Sequence, residues 1–279
     1  MKLKKMAYPY LMWILIFIFV PLILVIYFAI TRGNSKDFET FVLSLANFKR
    51  FFTPVYLKVL LKSLKLSIYS TMITLFLGYP VAFIISRSKI KTRNIMILLF
   101  VFPMWMNLLL RTYAWLTILG KNGIINNILM FFGFGTKNML YREGAVLLGM
   151  VYNFLPFMVL PIYSVLVKMD NSLIEAAQDL GAKSFTVFRK IIFPLSVPGI
   201  ITGITMVFVP AVSTFVISSL LGGNKTPLIG NLIEQQFLVS GDWHFGSSMA
   251  LVLIVIIFIF AYITGKFEGS SGKERGVLW

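Results

Sequence analysis

The sequence predicts an all-α, polytopic membrane protein with six transmembrane helices. Three observations predict it. Of 279 residues, 58% are hydrophobic and 13% are charged, against about 45–50% and 25% in soluble globular chains. The apolar residues gather in six long stretches, each near the roughly 20 residues that cross ~30 Å of hydrocarbon. The cations, 26 Lys and Arg against 10 Asp and Glu for a net charge of +16, collect between those stretches. An intrinsically disordered chain and a cytosolic enzyme domain are excluded, because neither could hide so much apolar surface. In a soluble protein the charge would suggest nucleic acid. Set in membrane loops, it explains topology and attraction to anionic lipid instead, so a nucleic-acid partner is not expected.

The spans are expected near residues 9–30, 61–86, 95–119, 145–167, 195–221 and 246–265, within one permease domain covering 1–279. The first follows Lys2, Lys4 and Lys5. Its apolar run exceeds the 7–15 residues of a signal peptide and no small-residue cleavage site follows, so it reads as a retained span. The basic segments Arg87, Lys89, Lys91 and Arg93, then Lys168, Lys183, Arg189 and Lys190, then Lys266, Lys273 and Arg275 alternate with the spans in a way that puts both termini inside. The loop with Arg32, Lys36, Lys49, Arg50 and Lys58 votes the other way. Gly78, Pro80, Pro103, Pro156, Pro161, Pro198, Gly203 and Pro210 interrupt the spans. Two readings stand, packing kinks and helices bent around a pathway. Segments 126–132 and 228–237 read as amphipathic helices in the outer interface, and Glu143, Glu234 and Asp242 are outer acids suited to docking a partner or drawing in a cation. The Gly/Ser-rich end, 269–279, is expected to be flexible.

Little in the sequence suggests bond-making chemistry. There is no cysteine, and His244 is the single histidine, so neither a metal site nor a thiol nucleophile is expected. No catalytic constellation of paired carboxylates or activated serine stands out. The phosphate loop G-x-x-x-x-G-K-S/T is missing; Gly120-Lys121 is followed by Asn122. No cofactor is expected, and any ATP driving transport must be bound and hydrolysed by another subunit.

One segment breaks the hydrophobic pattern. Residues 168–194, KMDNSLIEAAQDLGAKSFTVFRKIIFP, hold Asp170, Glu175 and Asp179. Ser172 followed by Glu175 predicts a capping box, and Gly181 suits a left-handed helix end. Ser184 opens a second short helix over 185–192, which Pro194 should stop. Two short helices joined by a tight turn are expected at the inner membrane face. Such helices are not stable alone in water, so the ends of the spans or a partner must hold them.

Glu175, Ala176, Ala177, Gly181, Ile191 and Pro194 fall in register with E-A-A-x3-G-x9-I-x-L-P, Phe193 standing for Leu. This resembles the EAA loop of binding-protein-dependent ABC-transporter permeases. LGYPVAF, PMWMNLLLRTYAWL, YNFLPFMVLPIYS, PLIGNLIEQQF and DWHFG extend the resemblance along nearly the whole chain, and it looks closest to the permeases of spermidine/putrescine importers. The resemblance implies a coupling helix at residues 168–194 seated on a cytoplasmic ABC ATPase dimer. It also implies a second homologous permease, an external substrate-binding protein, and a location in the bacterial inner membrane. Sulfate or ferric-iron permeases share the loop and remain alternatives, as does, with less support, a stand-alone transporter or channel. For the substrate pathway the candidates are Trp105, Tyr113, Trp115 and Tyr152, whose rings attract cations, the polar Asn107 and Asn153, and Arg111. No Asp or Glu falls within the six spans. Taken without the resemblance, Arg111 and the positive charge would favour an anion.

Overall fold

The computed structural model describes residues 12–32 and 42–273. Lys2, Lys4, Lys5, Lys36 and Arg275, the first residues of the expected opening span and residues 274–279 lie outside them. The described chain is helical almost throughout. Helix α1, Met12–Ala29, runs into a two-residue strand, Thr31–Arg32, paired antiparallel with Val42–Leu43. Short α2, Ala46–Phe51, precedes α3, Pro54–Arg87, and α4 is Ile90–Trp105. Next come α5, Leu108–Leu119, α6, Ile124–Phe131, and α7, Glu143–Val167. Then follow α8, Ser172–Asp179, α9, Ser184–Ser213, α10, Val216–Gly222, α11, Ile229–Gln235, and α12, Trp243–Lys273.

Five of these helices, α1, α3, α7, α9 and α12, are long and apolar enough to cross a membrane. The expected third span is instead a broken pair: α4 and the α5–α6 segment meet at 93°. Pro103 opens a 3₁₀ turn over Phe102–Trp105, Met106 is extended, and the Asn107 side chain accepts the N–H of Leu109 at 2.7 Å to start α5. A helix end followed by a side-chain cap is what a sharp corner requires. The expected fifth span also ends early. Thr214 is extended and α10 starts afresh, so residues 214–221 leave the crossing. Residues 269–273, expected in a flexible tail, continue the backbone of α12.

Helices α3, α7 and α9 form the centre. Met150, Met158, Val159, Ile162, Val207 and Ala211 are almost wholly buried between them. Glycines let the axes approach: a Cβ on Gly199 would stand 2.9 Å from the carbonyl oxygen of Pro161, and one on Gly203 2.7 Å from the Met158 sulfur. At these crossings the packing reading of the glycines holds, the usual use of small residues between membrane helices. Pro80, Pro156, Pro161, Pro198 and Pro210 lie inside continuous helices. A second cluster, Phe51, Leu60, Val212, Ile229, Phe245 and Met249, binds α2, α11 and α12 to the same bundle end. Facing outward, Phe76, Leu99, Phe258 and Tyr262 are exposed, as an apolar solvent allows.

One face of α3 is polar yet buried: Ser63, Ser67, Ser70, Thr71 and Thr74. The hydroxyls of Ser63, Ser67, Thr71 and Thr74 donate to carbonyls one turn back at 2.6–2.9 Å, so their burial costs little, whereas Ser70 Oγ has no partner among the described residues. The Ser63 oxygen also accepts the N–H of Ile229 at 2.8 Å, fixing the start of α11.

Candidate functional site

The hairpin over 168–194 forms at one end of the bundle, against the C-terminal end of α3. Its start differs from the expected capping box. Asn171 is the N-cap without a side-chain cap bond, and Ser172 is already the first helical residue. The reason is Asp170, whose carboxylate accepts the Ser172 N–H at 2.9 Å and occupies the donor that would mark a later start. That backbone bond holds the Asp170 carboxyl below the usual carboxylate range. The end of α8 is as expected. Gly181 has φ +79°; its N–H donates to the Gln178 carbonyl at 2.8 Å and the Ala182 N–H to that of Ala177 at 3.0 Å, the paired bonds of a Schellman closure.

The two faces of α8 differ. Ile174 and Ala177, with Met169 and Ala182, are packed on the main core, and Arg87 donates to the Asn171 side chain at 2.9 Å. Glu175, Ala176 and Gly181 are exposed. Leu173, Leu180 and Phe185 stand clear of the bundle, Leu180 at 89% exposure. Apolar side chains grouped beside acids on a polar loop mark a surface for another protein.

Pro194 does not stop the second helix. A π turn over Phe188–Ile192 follows Ser184–Val187, and the chain continues as Phe193–Ser213 with Pro194 in its first turn. A first-turn proline sacrifices little, and the wider π turn relieves the ring's clash with the preceding carbonyl. Ile191 is half-buried here. Phe188 and Phe193 lie 5.9 and 5.8 Å from the Tyr79 ring and Phe188 6.0 Å from Phe83, while the Tyr79 hydroxyl and Ser196 Oγ share a hydrogen bond of 3.0 Å. Sequence reasoning missed this aromatic joint. Its signal is Tyr79 and Phe83 four residues apart on a helix.

Only some pathway candidates meet. Trp115 and Tyr152 pack edge to face at 5.3 Å and line a cavity of about 400 Å³ with Ile73, Gly144, Leu147 and Val151. Arg111 is half-buried on α5, and its Nε is buried without an acceptor among the described residues. Asn153 is fully buried, donating to the Gly149 carbonyl at 2.8 Å. Trp105 and Tyr113 are at least half exposed and Asn107 is committed to its cap.

At the opposite bundle end two of the three candidate acids are occupied. Glu143 pairs with Lys62 at 3.0 Å and Asp242 with Arg50 at 2.9 Å. Arg50 also stacks 3.9 Å over the Phe245 ring. Glu234 has no ion pair among the described residues and lines a cavity of about 550 Å³ with Ser219, Pro227, Asn231, Gln235 and Leu238. His244 sits 3.0 Å from Thr31 Oγ1 and 3.1 Å from the Phe28 carbonyl, fastening α1 to α12.

Residues 67–268 match the family described as the binding-protein-dependent transport system inner membrane component. The chain belongs to that family. It is similar over 254 residues, at 40% identity, to the spermidine/putrescine transport system permease protein PotB of Haemophilus influenzae, covering 90% of this chain and 89% of that one. The Escherichia coli K12 PotB is 38% identical over 88% of this chain and 90% of its own. Among solved structures, a bacterial ABC transporter involved in the import of the acidic polysaccharide alginate superposes with a TM-score of 0.78 at 18% identity over 95% of both chains. The same transporter type, in complex with an alginate pentasaccharide-bound periplasmic protein, gives 0.79 at 17% identity over 94% and 92%. These structures share the fold.

As a member of this inner-membrane family the chain is a multi-pass transport permease. The matched region takes in the hairpin, the aromatic joint and every pathway candidate, and leaves α1 outside. The His244 fastening therefore attaches an additional helix to the family core.

Proposed function

We propose that this permease forms one half of the pathway of an ATP-driven importer for polyamines. The observation that carries the substrate is the 38–40% identity to two spermidine/putrescine permeases across about nine-tenths of both partners. ATP is bound and hydrolysed by a separate cytoplasmic ATPase dimer, a second homologous permease completes the pathway, and an external binding protein delivers the substrate. Both termini lie on the cytoplasmic side, with the hairpin.

The hairpin supports the coupling role. Leu173, Leu180 and Phe185 offer apolar anchors, Glu175 and Ala176 leave a low-bulk face, and Arg87 with Ile174 ties the helix to the bundle. Closure of the ATPase pair displaces α8; the unbroken α9 and the joint at Tyr79 carry the displacement to α3 and α9. The contacts of α8 must then differ between the two access states, since coupling requires differential interaction. In the pathway, the Trp115–Tyr152 pair offers ring faces worth about 0.5–2 kcal/mol each to a cation. So weak a hold suits passage. Glu234, which among the described residues forms no ion pair of the kind that occupies Glu143 and Asp242, is the outer carboxylate that meets the cation or its carrier.

The test is uptake of labelled spermidine, putrescine and sulfate by the transporter reconstituted with its partner subunits. ATP-dependent accumulation of polyamine without sulfate supports the reading. Sulfate accumulation without polyamine overturns the substrate, and uptake without an ATPase overturns the coupling.

A further inference from the structure

Helices α3 and α4 meet at a tight corner, Ser88–Lys89, at the bundle end that carries the hairpin. Between them lies an apolar groove of about 360 Å³ lined by Val81, Ile84, Ile85, Met96, Leu99 and Phe100. Its α3 wall, from Val81 to Ile85, runs about 6 Å at the helical rise of 1.5 Å per residue. Towards the corner both walls turn polar. On α4, Phe100 and Met96 share a helical stripe with Arg93. On α3 the wall ends at Ser88, whose hydroxyl donates to the Ile84 carbonyl at 2.8 Å and to the Met96 sulfur at 3.7 Å.

Among the described residues the charges at this corner lack counter-ions. Arg93 Nε is buried with no acceptor among the described residues. Lys89 and Lys91 are exposed and form no ion pair among those residues. Arg87 is already engaged by Asn171. Residues 81–100 contain no Asp or Glu. An apolar groove thus ends beside Arg93 and Lys89, which have no counter-ion among the described residues.

We propose that this corner is a binding site for an anionic phospholipid of the leaflet next to the hairpin. One acyl chain lies against Val81, Ile84 and Leu99, and the head-group phosphate is held by Arg93 and Lys89, one helical turn apart; Lys91, two residues from Arg93, lies round the other side of α4. A zwitterionic lipid carries its own ammonium beside the phosphate and gains less from two cations. A second protein's apolar helix would fill the groove and leave the cations unpaired. The lipid would brace the end of α3, to which Arg87 and Asn171 tie the hairpin. The inference stands apart from the polyamine reading, since it concerns the membrane face of the chain whatever is transported.

The experiment is native mass spectrometry of the assembled transporter, delipidated and then titrated with phosphatidylglycerol or phosphatidylcholine of identical chains. Wild type is expected to retain phosphatidylglycerol selectively. Lys89→Gln alters an exposed side chain and should weaken the tightest phosphatidylglycerol site roughly fivefold, leaving phosphatidylcholine unchanged, while Lys91→Gln on the other side of α4 should have little effect. Leu99→Trp, which fills the groove, should remove the site while the cations remain. Equal retention of both lipids, or no change in Lys89→Gln at unaltered thermal midpoint, overturns the proposal. The chain has no native cysteine, so Leu99→Cys reports its neighbour cleanly. Cross-linking to the second permease there overturns it too, because protein would then cover the groove.

Discussion

Replacing Gly181 isolates the backbone's contribution to the hairpin. Its φ is +79°, and an added Cβ would meet nothing within 4 Å. No steric clash therefore enters the cost, only the left-handed conformation itself. For an ordinary L-residue that is about 1–2 kcal/mol, and less for Asn, which tolerates this region. Helix α8 has eight residues, too few to persist on local propensity, so there is no reserve to absorb the loss. A penalty of about 1–2 kcal/mol lowers the closed hairpin's population relative to open forms by roughly 5–30-fold. Gly181→Asp carries Asn's shape plus a negative charge at a helix C-terminus, adding about 0.3–1 kcal/mol. The assay pairs amide hydrogen exchange at Leu180 and Ala182 with substrate-stimulated ATP hydrolysis by the assembled transporter. Exchange should quicken, and stimulation fall, in the order Gly, Asn, Ala. Asp should fall below Asn, and all variants should still reach the membrane. An Ala variant matching wild type in both readouts would refute the reasoning, as would Asn faring as badly as Ala.

Gly199→Ala should lower the thermal midpoint of the purified complex. Its Cβ would stand 2.9 Å from a backbone oxygen and 3.1 Å from the Ile162 Cα, and overpacking costs about 1–3 kcal/mol, more than the ~1 kcal/mol that alanine gains over glycine in a helix. Gly265→Ala, with open space at its Cβ, should not lower it; equal shifts in the two variants would contradict the crossing geometry. Trp115→Ala removes the edge-to-face pair and should reduce polyamine transport about 2–10-fold, the equivalent of 0.5–1.5 kcal/mol, with Tyr152→Phe near wild type; unchanged uptake in Trp115→Ala would take the pair out of the pathway. Asp170 is held below its ordinary range by the Ser172 N–H. The bond therefore stabilises the start of α8 above the unfolded carboxyl's pKa of about 3.9, and that stabilisation is lost as pH falls through the lowered native value. The protection of the Ser172 amide against exchange, relative to its intrinsic rate at each pH, should fall only under acid conditions in wild type, and Asp170→Asn should flatten that dependence.

The spans were legible because mean hydropathy over twenty residues is a strong signal, and five of the six expected stretches fall on helices long and apolar enough to cross, with shifted ends. The third runs across a 93° bend, because apolar composition does not register direction. Phe102, Met104 and Trp105 read as membrane on either side of a corner, and the cap at Asn107 shows itself only in the bonded geometry. Gly181 was readable from local rules, since a left-handed turn leaves glycine few substitutes. The start of α8 was not, because Asp170 and Ser172 both offer caps, and which one acts depends on where Asn171 is fixed by Arg87, 84 residues away in sequence. Pro194 misled for a similar reason. A proline stops a helix only where a carbonyl lies in its path, and the π turn before it removed that obstacle. Of the pathway candidates, Trp115 and Tyr152 met because α5 and α7 cross there, a relation no single stretch contains.

The uninterrupted run of α9 from Ser184 to Ser213 also fixes a phase. Each residue turns a helix by about 100°. Inserting one between Val187 and Pro198 would therefore swing the exposed Phe185 a quarter-turn or more away from its present bearing while the intramembrane segment stayed put. Length in this stretch is as constrained as composition. Insertions and deletions between Val187 and Pro198 should therefore be rejected.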